Sequence, residues 1–131
     1  MTAAYEKDGQ IVIQKLAGAD LSSSQYHFVK FSSGAVIECA AATDVPVGVL
    51  QNAPESGYPA DVLIFGVTKV SSNAAIAQDA LIGTSSDAQA VTLTIGTDTT
   101  AYIAGRALEA SSGANALVTA FVNCANPARA A

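Results

Sequence analysis

Apolar and polar positions alternate along this chain in short steps, with the period of strands. IVIQKL, Ile11 to Leu16, opens the pattern. QYHFVKF, Gln25 to Phe31, is dense in aromatic and β-branched residues, and Ser32-Ser33-Gly34 turns it into AVIECA, Ala35 to Ala40, which predicts a hairpin. By alternation His27 shares a face with Val29 and Phe31, opposite Tyr26 and Phe28. VPVGVL, Val45 to Leu50, reads as a short strand weakened at its start by Pro46. ADVLIFGVTKV, Ala60 to Val70, is apolar on both faces around Val62 to Phe65, as a centrally buried strand is, and Gly66 within it predicts a bulge or bend. AVTLTI alternates most cleanly, with Val91, Leu93 and Ile95 on one face and Thr92 and Thr94 on the other. AYIAGRAL and NALVTAFVN complete the set. Only SNAAIAQDALI, Ser71 to Ile82, invites a helix, and its mostly alanine stripe limits that to one or two turns.

Two stretches share an outline. GVLQNAPESG, Gly48 to Gly57, and GRALEASSG, Gly105 to Gly113, each run from glycine through an apolar piece and turn formers to another glycine, then into an apolar segment. They are too short for a solenoid repeat and predict two similar hairpins in one domain. Many short strands with Gly and Ser turns predict an all-β fold, a small antiparallel barrel or sandwich with at most one short helix. Residues 1–9 lack periodicity and end at the Asp8-Gly9 turn signal. The expected organisation is an N-terminal arm, 1–10, ahead of a single β domain, 11–131.

Composition narrows the function. The 131 residues suffice for one domain; half are hydrophobic, many of them alanine, and only 13% are charged. That charged share is far below the usual quarter, which suggests that copies of the chain or a partner cover part of the surface. The net charge is −5, and the six basic residues are scattered, so no footprint for nucleic acid or for an anionic membrane is present. The opening MTAAYEKDGQ is polar where a secretory leader needs an apolar core. The longest uncharged run, Ala110 to Ala128, is broken by Gly, Ser, Asn and Pro. Cys39 and Cys124 each sit in or beside an apolar segment, pointing to two buried free thiols, although one bridge is open to them.

Candidate chemistry is sparse. His27 is the only histidine; paired with Cys39 across the predicted hairpin it would give a small hydrolase, but no nucleophile elbow or cysteine-protease signature accompanies it. One His and two isolated Cys do not make a zinc site, and no calcium-loop spacing occurs. Asp79, Asp87 and Asp98 fall in predicted turns, where Asp bonds its own backbone; Glu38 and Glu109 fall in or at the ends of strands. Arg106 stands either solvated or paired with an acid of a neighbouring copy. The sequence calls for no enzyme activity, no cofactor and no metal.

The order DVPVGVLQNAPESGYPADVLIFGVTKV, AAIAQDALIG, IAGRALEASSGANALVTAFV resembles the decoration (cement) proteins of tailed-bacteriophage capsids. Gly48, Val49, Leu50, Asn52 and Pro54 match the first hairpin of that family. Gly66, Val67 and Val70 match its central strand, and Gly105, Ala107, Leu108, Ala110, Ser111 and Gly113 its closing hairpin. The resemblance spans roughly residues 44 to 122 and implies a β-tulip or small barrel. It implies a structural virion protein, made in the host cytoplasm, that cements the expanded capsid from its outer surface as a homotrimer bridging neighbouring capsomers. Its partner would be the major capsid protein lattice. By position it assigns the capsid contact to the arm: Met1, Thr2, Ala3, Ala4, Tyr5, Glu6, Lys7, Asp8, Gly9 and Gln10. Tyr5, the one aromatic of the arm, either anchors that contact or packs back on its own domain. Another phage component, a tail part or a head-fibre base, is the alternative expectation.

Overall fold

The computed structural model describes residues 9–131, and everything in it is organised around one long strand. The strands in chain order are β1 (Ile11–Leu16), β2 (Phe28–Ser32), β3 (Ala35–Glu38), β4 (Gly48–Leu50), β5 (Pro59–Ser71), β6 (Leu81–Thr84), β7 (Ala90–Thr92), β8 (Tyr102–Ile103), β9 (Gly105–Ala107), β10 (Leu117–Asn123) and β11 (Ala128–Arg129). Their ladders are all antiparallel, in the order β3-β2-β4-β5-β10-β9-β6-β7 with β1 also on β5, and β8 and β11 form a separate ribbon. β1 and β4 flank the first half of β5, and β10 pairs with its second half from Phe65 to Ser71. The sheet curls into a half-barrel, so the fold is all-β as the alternation predicts.

β5 needs apolar residues on both faces because both are covered. Leu63 enters the main core with Phe28, Val49, Val70 and Ile82, while its neighbour Val62 enters a second core with Leu21, Val29, Val36 and Leu50. The second core is closed where the end of β1 meets β3, through a bridge from Ala17 to Val36. Much of the main core is alanine: Ala88, Ala90, Ala104, Ala107 and Ala120 are all fully buried there. Small side chains let strands and loops approach closely, which is how so high an apolar content coexists with so few large residues.

The repeated outline is two hairpins, β4–β5 and β9–β10, set side by side through the β5–β10 ladder. Their leading glycines do the same job. A Cβ at Gly48 would overlap the carbonyl oxygen of Leu63, and one at Gly105 would overlap that of Phe121. Each short strand lies against its long partner at a separation only a bare Cα permits.

The bulge expected in β5 is present. Ile11 faces Phe65 but Val12 faces Leu63, so Ile64 is the extra residue. Gly66 follows at φ 138°, with the Gln10 side chain packed where a Cβ would stand.

Four expectations are corrected. Among the described residues no helix forms over Ser71 to Ile82. β5 runs through Ser71, and the next backbone groups bond elsewhere: Asn73 N–H to Ala90 O, Ile76 N–H to Ser111 Oγ, Asp79 N–H to Ala107 O. An alanine stripe offers a helix little to bury, and these tertiary bonds win. The strand expected from Gln25 begins at Phe28, because Tyr26 takes φ 67° and its N–H turns to Leu50 O. AVTLTI stops at Thr92: Asp98 caps the Thr94 amide at 2.7 Å, so Leu93 is buried with Ala101 and Ala130 while Ile95 is left 60% exposed. AYIAGRAL divides at Ala104 into β8 and β9, which join different sheets.

Candidate functional site

Met1 to Asp8, and so most of the arm expected to make contacts, lie outside the described residues. Gly9 is an exposed turn residue. Gln10 is fixed to the domain: its Nε2 donates to Val67 O at 2.8 Å while its side chain lies over Gly66.

His27 and Cys39 are not brought together as a catalytic pair. His27 Nδ1 lies 2.6 Å from Glu38 Oε2, so the imidazole is engaged by the last residue of β3. Cys39 belongs to the main core, and burial, with the Asp44 carboxylate adding to it, pushes its thiol up to about 12. Such a thiol is protonated near neutrality and is a poor nucleophile. Cys124, in the same core, is likewise pushed up to about 12 by burial. Both are free cysteines, as their apolar surroundings in the sequence suggest.

The cleft beside His27 is polar. Asp20, Ser24, Glu38 and Asp87 line it, and its floor is Gln89, whose Nε2 donates to Ser71 Oγ and Asn115 Oδ1, both at 2.8 Å. Ser72 Oγ donates to Gly113 O and Ala116 O. This network ties the β6–β7 and β9–β10 loops to the end of β5. It is satisfied internally, and its chemistry is that of a fastening.

A second feature was not legible in the sequence. Between the chain entering β4 and the chain leaving β10 opens an apolar groove of about 500 Å³. Phe31, Val45, Pro46, Val47, Ile64 and Pro127 line it. Phe31 is 56% exposed and Val45 50%, so two large apolar side chains stand at its rim. Among the described residues one charged side chain lines it, Lys30, which is neutralised by Asp44 Oδ2 at 2.9 Å. Asp44 also accepts the Ala40 and Ala41 amides at 2.7 and 3.1 Å, which pins the loop that forms one wall. Burial acts against the Asp44 charge, but the Ala40 amide, the Lys30 ammonium and the Ala41 amide outweigh it and hold its carboxyl below the usual range.

A carboxyl whose folded-state pKa is depressed stabilises the fold above its unfolded value, and that stability is lost as pH falls through the folded value. Asp44→Asn is therefore expected to cost about 1 kcal/mol at pH 7. Its deficit against wild type should close as the pH drops below about 4, as urea unfolding at the two pH values would report.

Two further ion pairs form among the described residues. Arg106 Nε lies 3.4 Å from Asp79 Oδ1, and Lys69 reaches both Thr119 Oγ1 at 2.7 Å and Glu109 Oε1 at 3.4 Å. Arg106 thus has an acid of its own chain as partner. Glu109 is held below its usual range by the Thr119 hydroxyl and amide, then by Lys69. Among the described residues no group of three or more His, Cys, Asp or Glu side chains is placed to hold a metal ion. No described helix is long and apolar enough to cross a membrane.

With this geometry in view, the chain is similar in structure to the head fibre gp8.5 N base of bacteriophage phi29. The two align over 88% of this chain and 95% of that one, with a TM-score of 0.65 and 20% sequence identity. The likeness is one of fold. No protein-family model matches the chain, and no curated protein matches it either.

Proposed function

We propose that the chain is a structural component of a bacteriophage particle, a base domain that seats on the outside of the head. The observation that carries this reading is the fold likeness to the phi29 head fibre base, which runs nearly end to end in both chains. The apolar groove flanked by Phe31 and Val45 suits it, because a surface built for contact needs exposed apolar anchors and no reacting groups. A cluster of three copies around a local symmetry point fits the low charge, and the partner in this reading is the major capsid protein lattice.

A second reading, decoration of the whole expanded capsid, is supported by the order of the glycine-led hairpins in the sequence. A cement protein adds a modest buried area at many identical joints and stabilises the expanded state by binding it in preference to the compact one. The two readings differ in number. A decorating protein occupies every equivalent joint of the shell, whereas a fibre base occupies a smaller set of positions.

The test is to add purified protein to heads of its own phage that lack it, then count bound copies per major capsid subunit by quantitative mass spectrometry. Saturation well below one site per joint supports the fibre base, and saturation at every joint supports decoration. No saturable binding to heads at any concentration would overturn both.

A further inference from the structure

The polar cleft beside His27 has a volume of about 520 Å³. It opens where the chain between β1 and β2, the end of β3, the end of β5 and the β6–β7 loop meet. Its floor is fastened through nitrogen: the Gln89 amide gives its protons to Ser71 Oγ and Asn115 Oδ1. Two oxygens beside that fastening are not used by it. No described residue donates to Gln89 Oε1, and Ser24 bonds only through its backbone, to Leu21 O and from the His27 amide. Gln89 is 7% exposed and Ser24 6%. Among the described residues every fully buried side-chain oxygen has a partner, so the surface that these two keep opens into the cleft they line. An acceptor held so deep gains most from a charged donor brought in from outside.

The cleft is rigid before anything enters it. Ser85 Oγ accepts the Asp87 and Gln89 amides at 3.2 and 3.3 Å, and Ala88 O accepts the Phe28 amide at 2.8 Å. The loop carrying Asp87 and Gln89 is thus tied to itself and to β2, which lowers the cost of ordering it around a ligand. Roughly 17 Å of strand separates Ser71 from Gly66, over which Gln10 lies.

Charge selects the ligand. Asp20, Glu38 and Asp87 stand around the two oxygens. The Ser22 hydroxyl and amide hold the Asp20 carboxyl below its usual range. The one lining group able to carry positive charge, His27, is engaged by Glu38 at 2.6 Å. Each described basic side chain is held elsewhere: Lys30 by Asp44, Lys69 by Glu109, Arg106 by Asp79, Lys15 over the Phe31 ring and Arg129 over Tyr102. The described acids do not have the grouping of a metal site, and no described aromatic ring lines the cleft for a sugar to stack on. An organic cation with several N–H donors is the chemistry left.

We propose that this cleft binds a guanidinium or primary ammonium group on an alkyl chain, with Ser24 Oγ and Gln89 Oε1 accepting its N–H donors and Asp20 and Asp87 balancing its charge. The group is a free small amine or the tip of an arginine or lysine side chain of another protein. The site does not depend on the particle role.

The probes are butylguanidinium, its uncharged isostere butylurea, and tetramethylammonium, which carries the charge without N–H donors. Each is titrated into the full chain and followed by nuclear magnetic resonance at the Gln89 side-chain amide and the Ser24 and Asp87 backbone amides. Butylguanidinium is expected to give saturable shifts that weaken with salt, and both controls to bind at least about tenfold more weakly. Ser24→Ala removes a hydroxyl that fastens nothing, so the unfolding midpoint should stay at wild type while affinity falls about fivefold. Asp87→Asn, at an exposed position, should lower affinity about threefold. An end-blocked Gly-Arg-Gly peptide that binds as tightly as butylguanidinium assigns the cation to a protein side chain, and exclusion of the peptide assigns it to a free amine. Equal binding of either control, unaltered affinity in both variants, or no saturable shift with butylguanidinium would each overturn the proposal.

Discussion

Gly105→Ala should destabilise the domain by about 3 kcal/mol or prevent its folding, and Gly48→Ala should do the same. In each case the added methyl overlaps a backbone carbonyl, of Phe121 or of Leu63. A carbonyl held in the ladder of a central strand does not move aside as a side chain would. Relief requires the two strands of a hairpin to separate, and the β5–β10 ladder passes the disturbance to the other hairpin. Gly113→Ala is the control from the same stretch of sequence: a Cβ there meets nothing within 4 Å, and its backbone is not left-handed. Denaturant unfolding would therefore show two variants with midpoints far below wild type and a third within about 0.5 kcal/mol of it. Equal midpoints for all three would mean that the close approach of the short strands is not needed for stability.

The second large effect concerns contact. Phe31→Asp with Val45→Asp should leave the far-ultraviolet circular dichroism and the unfolding midpoint near wild type, because both side chains stand about half exposed at the rim of the groove. Under the proposed seating on phage heads, its affinity for them should fall by about 30-fold or more, the loss of roughly 2 kcal/mol that follows removal of an apolar anchor. Carboxylates at both positions would have to be desolvated on docking; Lys30 is already held by Asp44, and the nearby Lys15, now over the Phe31 ring, would meet only the one at position 31. Unchanged affinity would move the contact away from the groove.

The hairpins were legible in the sequence because local chemistry specifies them. Ser33 and Gly34 at the β2–β3 turn both take positive φ, and β5 is apolar on both faces because it serves two cores. What was not legible depends on distant partners. The segment Ser71 to Ile82 carries a weak helical pattern, and only the carbonyls and hydroxyl supplied by Ala90, Ala107 and Ser111 decide against it. The clean alternation of Val91, Leu93 and Ile95 was overruled by one local cap, the Asp98 carboxylate on the Thr94 amide. The groove joins residues around positions 31, 46, 64 and 127, so no window of sequence contains it; the nearest signal was an aromatic, Phe31, at the polar end of a strand. The pairing of His27 with Cys39 failed for a related reason. β3 presents Glu38 to the imidazole, while Cys39 belongs to the core.

The alanine-built main core has a thermal consequence. Unfolding it uncovers less apolar area per residue than a core of leucine and phenylalanine would, and the heat capacity change of unfolding scales with that area. A smaller heat capacity change flattens the curve of stability against temperature, so the domain gains little from moderate cooling and loses little on moderate warming. In the particle role proposed above, where a component would meet both a growing host and the surroundings of a released particle, that evenness would matter more than a high maximum.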